Sequence, residues 1–194
     1  MTTYRKLSVR VALAVLLAAS LRTAVAQDVV HAVSGEVTKV DKKAKTLTVK
    51  AEDGTEHAFK YSDKTTVRDY HDASKMAKAG VTDTYFEGKE GTHVVIRYTK
   101  KGADEAASSV EDFGKDGLKE GRGTVTKVDK GAHTVSVKTE DGVETTYSLS
   151  RDAAVDTEKG VVKGTDYTAT EGDKVVVHYS EDAGKKVVHF FKSL

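Results

Sequence analysis

The chain has 194 residues, 31 Lys or Arg against 30 Asp or Glu, 38% apolar content and no Cys, Pro or Trp. A near-neutral, mixed-sign charge excludes the basic footprint of a nucleic-acid or anionic-lipid binder. The lack of Cys excludes disulfides and lipid attachment at a lipobox, and Asn is absent too, which excludes N-glycosylation.

Residues 1–26 read as a secretory signal peptide. Arg5, Lys6 and Arg10 form a basic n-region, Val11 to Ala19 is an uncharged apolar run, and Ala24-Val25-Ala26 is an A-x-A cleavage site before Gln27. The run is too short for a membrane span and Arg22 follows it closely. No Arg-Arg pair precedes it, so the Sec route is expected. The segment carries four bases (Arg5, Lys6, Arg10, Arg22) and no acid, leaving 27 bases against 30 acids, a mature charge of −3. The expected location is periplasmic or secreted, with no membrane contact after cleavage and no nucleic-acid partner.

The rest of the chain is a duplication. Residues 35–54 align without a gap on residues 123–142, and 14 of 20 positions are identical. In the first copy Val37 and Val40 are three apart, which demands a bulge if the segment is a strand. Asp41 to Ala44 is a turn. Leu47 and Val49 alternate with Thr46, Thr48 and Lys50, as in a half-buried strand. Asp53-Gly54 is a hairpin turn, and His57, Phe59 and Tyr61 share the inward face of the return strand. Thr145, Tyr147 and Leu149 occupy the matching positions of the copy. Short strands follow around Val67 and Val155.

The copies then diverge. Asp72 to Gly80 predicts a short helical turn in module one, capped by Asp72 and closed by Gly80. Both copies resume with strong strands at 91–98 and 172–179. The last strand is apolar at Lys186 to Phe191 and much less so at Ala106 to Val110. Residues 114–123 hold four Gly among charged residues and mark the linker. The predicted organisation is a signal peptide (1–26), a first module (27–113), a Gly-rich linker (114–121) and a second module (122–194). The fold class is all-β: two tandem small antiparallel barrels, OB-like or SH3-like, of about five strands each, with a short helical turn in the first. A two-sheet sandwich is the alternative.

The recurring positions are Gly35, Val37, Val40, Asp41, Thr46, Val49, Asp53, Gly54, Gly91, Val94, Ile96 and Tyr98, and their copies Gly123, Val125, Val128, Asp129, Thr134, Val137, Asp141, Gly142, Gly172, Val175, Val177 and Tyr179. This pattern resembles the small β-barrel repeat of a domain-of-unknown-function family found in exported bacterial proteins. The resemblance covers nearly all of the mature chain, twice. It implies a barrel and export, and no activity.

No constellation of residues points to catalysis. There is no G-x-S-x-G, no phosphate-binding loop and no calcium-loop spacing. The seven His (His31, His57, His71, His93, His133, His178, His189) show no short zinc-pair spacing. The reading is therefore a non-catalytic exported binding or structural module of the cell envelope, without metal or cofactor. Its expected partner is an envelope or extracellular protein or glycan. A small-ligand or glycan binder and an unrecognised enzyme are the alternatives. Tyr70, Tyr85, Phe86 and Tyr167 lie in the variable loops and are the candidate ligand-binding residues.

Overall fold

A computed structural model describes residues 29–70, 84–167 and 169–194; the expected helical turn at 72–80 and the segment 1–26 lie outside them. Six strands form the first sheet: β1 (Val30–Asp41), β2 (Thr46–Ala51), β3 (Glu56–Lys60), β4 (Thr66–Asp69), β5 (His93–Lys101) and β6 (Asp104–Asp112). Six form the second: β7 (Lys119–Asp129), β8 (Thr134–Lys138), β9 (Glu144–Thr157), β10 (Gly160–Lys163), β11 (Lys174–Asp182) and β12 (Lys185–Ser193). Among the described residues one 3-10 turn, Gly164–Asp166, follows β10. Among the described residues no helix is long and apolar enough to cross a membrane.

The first sheet runs β3-β2-β1-β5-β6, and a parallel β3–β6 pairing closes it into a five-stranded barrel, with β4 added outside β6. That is a three-strand meander with the last two strands returning beside β1, an OB-like connectivity. The second sheet runs β9-β12-β11-β7-β8 and closes through β8–β9, with β10 outside β9. Closure rules out the sandwich. β9 does the work of both β3 and β4: it pairs with β8 as β3 does with β2, and runs parallel to β12 as β3 and β4 do to β6.

The polar last strand of module one closes its barrel all the same. The ladder is a backbone matter, Phe59 facing Glu105 and Lys60 facing Ala106. The buried acids on β6 find side-chain partners instead of apolar ones: Glu105 takes His57 at 3.0 Å, and Asp112 takes Lys89 at 2.6 Å.

The repeated residues have local causes. The Val37/Val40 spacing corresponds to a register shift between Val37 and Lys39, matched between Val125 and Lys127. Asp41 Oδ1 accepts the Ala44 N–H at 2.9 Å, and Asp129 does the same for Ala132. These bonds hold turns that end in left-handed Lys45 (φ 51°) and His133 (φ 52°). Gly35 is paired with Ala51 on one side and Val94 on the other. A Cβ there would collide with the Lys50 carbonyl, as one at Gly123 would with that of Lys138.

Each barrel has its own core. Phe59, Leu47, Val49, Ile96 and Phe86 are fully buried in the first, and Val135, Val137, Val175, Val177 and Phe191 in the second. The Gly-rich stretch at 114–121 gives its last three residues to β7, where Lys119 to Gly121 pair with Tyr179 to Val177. Its first residues are pinned too. His93 N–H donates to the Gly114 carbonyl at 2.8 Å, and Gly117 packs on the His93 ring.

Gly35→Ala and Gly123→Ala should each cost roughly 2 kcal/mol or more through overpacking. Gly131→Ala, whose Cβ would meet its nearest atom at 3.5 Å, should stay within about 0.5 kcal/mol of the parent. Urea melts of the three variants check this; equal midpoints would refute the role given to the two glycines.

Candidate functional site

The two barrels touch along an apolar seam. Phe113 and Phe190 are buried there with Ala32, Val95 and Ala154, and Tyr70, Leu118 and Val161 pack around them. Tyr70 stacks on Phe113 at 4.7 Å between centroids, and His189 meets both rings. Polar contacts flank the seam. Arg68 donates to Asp152 Oδ2 at 2.6 Å, and Arg97 donates to the Asp152 carbonyl. The Arg68 guanidinium holds the Asp152 carboxyl below its ordinary value. Arg97 also donates to Glu111 Oε1 at 2.9 Å, while Glu111 Oε2 is buried without a partner among the described residues. Burial pushes the Glu111 carboxyl up.

A cleft of about 560 Å³ opens directly off this seam, sharing Ala32 and Phe190 with it. That volume falls within the range of small-molecule sites, roughly 300–1,000 Å³. Module one contributes Ser34 from β1, Glu52 and Asp53 from the β2–β3 turn, His57 from β3 and Tyr98 from β5. Module two contributes Glu120 and Arg122 from β7, Asp156 from β9, His178 from β11 and Lys192 from β12. A larger concavity of about 700 Å³ lies on module two alone, lined by Lys138, Thr139, Glu140, Asp141 and Lys174. It has neither aromatic nor His.

Several of the cleft's charges are already matched. His178 Nδ1 meets Glu52 Oε1 at 2.9 Å across the modules, and Arg122 meets Glu120 at 3.2 Å. His57 Nδ1 lies 3.2 and 3.0 Å from the two Glu105 oxygens. A carboxylate only accepts, so Nδ1 carries a hydrogen in this contact. Asp156 is different. It is half-buried, takes a hydrogen bond from the Ala32 backbone N–H, and is pushed up by desolvation, with Lys192 and His31 nearby opposing the shift. Tyr98 is 9% exposed, and its hydroxyl makes no hydrogen bond among the described residues. Burial, with the negative fields of Glu105 and Asp156, pushes that phenol up to about 12. Among the described residues no group of three His, Asp or Glu could hold a metal ion.

No family model matches the chain, and no curated protein matches it. Solved structures do. Silver(I)-bound CusF aligns at 10% identity and a TM-score of 0.31, covering 40% of this chain and 97% of that one. A copper(II)-bound CusF variant from Escherichia coli aligns at 16% identity and 0.30, covering 45% and 95%. Drosophila Unr CSD456 aligns at 14% and 0.30, covering 84% and 61%. These likenesses are too low to carry an argument. The barrel rests on the strand pairings, and no repeat family of exported proteins is established for it.

The four aromatics singled out from sequence fall into three different packing clusters. Phe86 is 1% exposed in the first barrel's core, against Tyr61. Tyr85 packs on the same core and donates to Asp69 and Asp112 at 3.0 and 3.1 Å, under the Lys89 ammonium. Burial and the Asp112 charge push its phenol far up. Tyr70 belongs to the seam, and Tyr167 leans on Phe191 of the second core. Burial pushes the Tyr167 phenol up to about 12. The residues that do converge are His57, Tyr98, Asp156, Glu52 and His178. One signal for them exists in the sequence: His57 and Glu105 fall where the copy has Thr145 and Lys186.

His189 makes the seam sensitive to acid. Its Nε2 meets Ser180 Oγ at 2.8 Å, Nδ1 has no partner among the described residues, and burial with Arg68 nearby lowers its pKa to about 4. The folded state therefore refuses a proton that the unfolded chain accepts from about pH 6.5 downward. Stability is full above that value and falls by roughly 3 kcal/mol as the pH drops towards 4. Glu111, raised by burial, acts in the opposite sense, so the comparison must be between variants. His189→Phe should flatten the slope of unfolding free energy between pH 6.5 and 4 relative to the parent. Parallel slopes in urea melts would refute it.

Proposed function

We propose that the chain is a non-catalytic binding module of the bacterial cell envelope, exported through residues 1–26 and engaging its ligand in the cleft between the barrels. The observation that supports the reading is Tyr98. It is a side chain nine-tenths buried whose hydroxyl has no partner within the described residues, beside a half-buried carboxylate in a concave site. A hydroxyl open to the cleft and an under-matched acid beside it fit a site that a ligand completes.

Catalysis finds less support. A nucleophile needs a base that a third group orients. Ser180 and His189 touch, but the remaining nitrogen of His189 has no carboxylate, and its lowered pKa leaves it a poor base. His57 does have a carboxylate, Glu105, but no hydroxyl bonds its free nitrogen among the described residues.

Ser34→Trp places a large ring at the cleft wall. In paired captures from the organism's exported fraction, the parent protein should retain a component that the variant does not. Equal retention would count against the cleft. Mass spectrometry of the exported protein should find Gln27 as its first residue.

A further inference from the structure

Resting on that reading, we propose that the cleft takes an organic cation: a primary ammonium or guanidinium group seated against Asp156 and the Tyr98 ring and hydroxyl.

The duplication supplies an internal comparison. In module two, Tyr147 and Tyr179 form a T-shaped pair 5.0 Å apart. The Lys186 ammonium lies over both rings, 5.8 and 5.4 Å from their centroids. In module one the same positions hold Phe59 and Tyr98, 4.9 Å apart. The position of Lys186 is taken by Glu105, on the strand that pairs with β3. No Lys or Arg of the described residues lies over the Tyr98 ring. One copy therefore covers its aromatic pair with its own cation. In the other, Phe59 is fully buried and Tyr98, flanked by His31 and His57, is the member that lines the cleft.

The charges around the site favour the same class. Glu105 is already matched by His57 at 3.0 Å and Lys100 at 3.5 Å. Asp156 has only the Ala32 N–H, with Lys192 and His31 too far for an ion pair. Desolvation raises its pKa, which is the mark of a carboxylate short of positive charge. The unused polar group at the site, the Asp156 carboxylate, is an acceptor. A ligand rich in N–H donors meets it, whereas an anion would face Asp156 and Asp53, with Arg122 already taken by Glu120. An aromatic face and a half-buried carboxylate together bind ammonium better than either alone.

A free polyamine and a lysine side chain present the same group. Spermidine and the peptide Gly-Lys-Gly, both as free compounds, separate these sources, with glutarate and cellobiose as the anionic and neutral probes. The full chain is titrated with each while the amide resonances of Ala32, His57, Tyr98 and Asp156 are followed by NMR. Spermidine or the lysine peptide should shift these four, and Asp156→Asn should weaken that binding about tenfold or more. Lys192→Met removes the competing cation and should tighten it. Thermal melts show whether the variants remain folded; Tyr98→Phe keeps the ring and should lose only part of the affinity. If neither cation shifts these resonances, or if Asp156→Asn binds as well as the parent, the assignment is overturned. A response to glutarate or cellobiose alone would overturn the cation while leaving the cleft as the binding site.

Discussion

The placement of one barrel on the other depends on a few side chains in the seam. Five buried residues, two of them Phe, form it. Burying a Phe contributes roughly 1.5–3 kcal/mol, so the seam supplies several kcal/mol at most. As a contact between separate molecules that would be weak, because association entropy would consume it. The connection at 113–118 makes it intramolecular, and effective concentrations for short links reach the millimolar range. The connection is itself pinned to His93. A small seam is therefore enough. Asp152 adds direction rather than strength: partly exposed ion pairs contribute about 0–1 kcal/mol, but Asp152 engages Arg68 through its side chain and Arg97 through its carbonyl, fixing β9 against β4 and β5.

The cleft follows from that placement. Tyr98 belongs to the first barrel's own core, but Asp156 would be a strand acid in water if module two were alone. Docking brings β9 near β1, so that Asp156 accepts the Ala32 N–H and loses hydration. The same docking buries His189 between Tyr70 and Phe113. Two ionisable groups are thus desolvated by one event, Asp156 at the cleft wall and His189 in the seam. Their pKa values move in opposite directions because burial always disfavours the charged form. Loosening the seam would relax both, so pH and cleft shape are coupled through the same contact.

Much of the barrel was legible because it is written twice. The bulge after Val37, the Asp41 turn and the inward phase of Phe59 and Tyr61 recur in the copy, and periodicity within a strand is a local property. Ladder closure is not local. The polar run at Ala106 to Val110 hides that β6 pairs in parallel with β3, since the deciding bonds join residues more than forty apart. From sequence, Tyr85 and Phe86 lie in a variable loop, where contact residues concentrate. Phe86 instead is buried in the first barrel's core against Tyr61, and the Tyr85 hydroxyl is spent on Asp69 and Asp112. The cleft was illegible for a simpler reason. Its walls come from different modules, and no pattern in either one encodes the approach of the other.

What duplication left unchanged is scaffold; what it changed is charge. The tip of the β5–β6 hairpin reads Lys100-Lys101 against Asp104-Glu105, and the β11–β12 tip reads Glu181-Asp182 against Lys185-Lys186. The cross-strand pairing Lys100 with Glu105 and Glu181 with Lys186 is preserved with its sign reversed. A reversed pair keeps the hairpin equally stable, since only the product of the charges matters to the ladder. It does not keep the neighbourhood the same. With Lys186 inward, the second barrel's tyrosines receive a cation from their own sheet. With Glu105 inward, the first barrel's pair receives a carboxylate, and His57, in place of Thr145, is needed to match it. The exchange is neutral for folding and decisive for the surface. It turns one of two near-identical barrel faces from a completed arrangement into an open, electronegative one, on the module whose face lines the cleft.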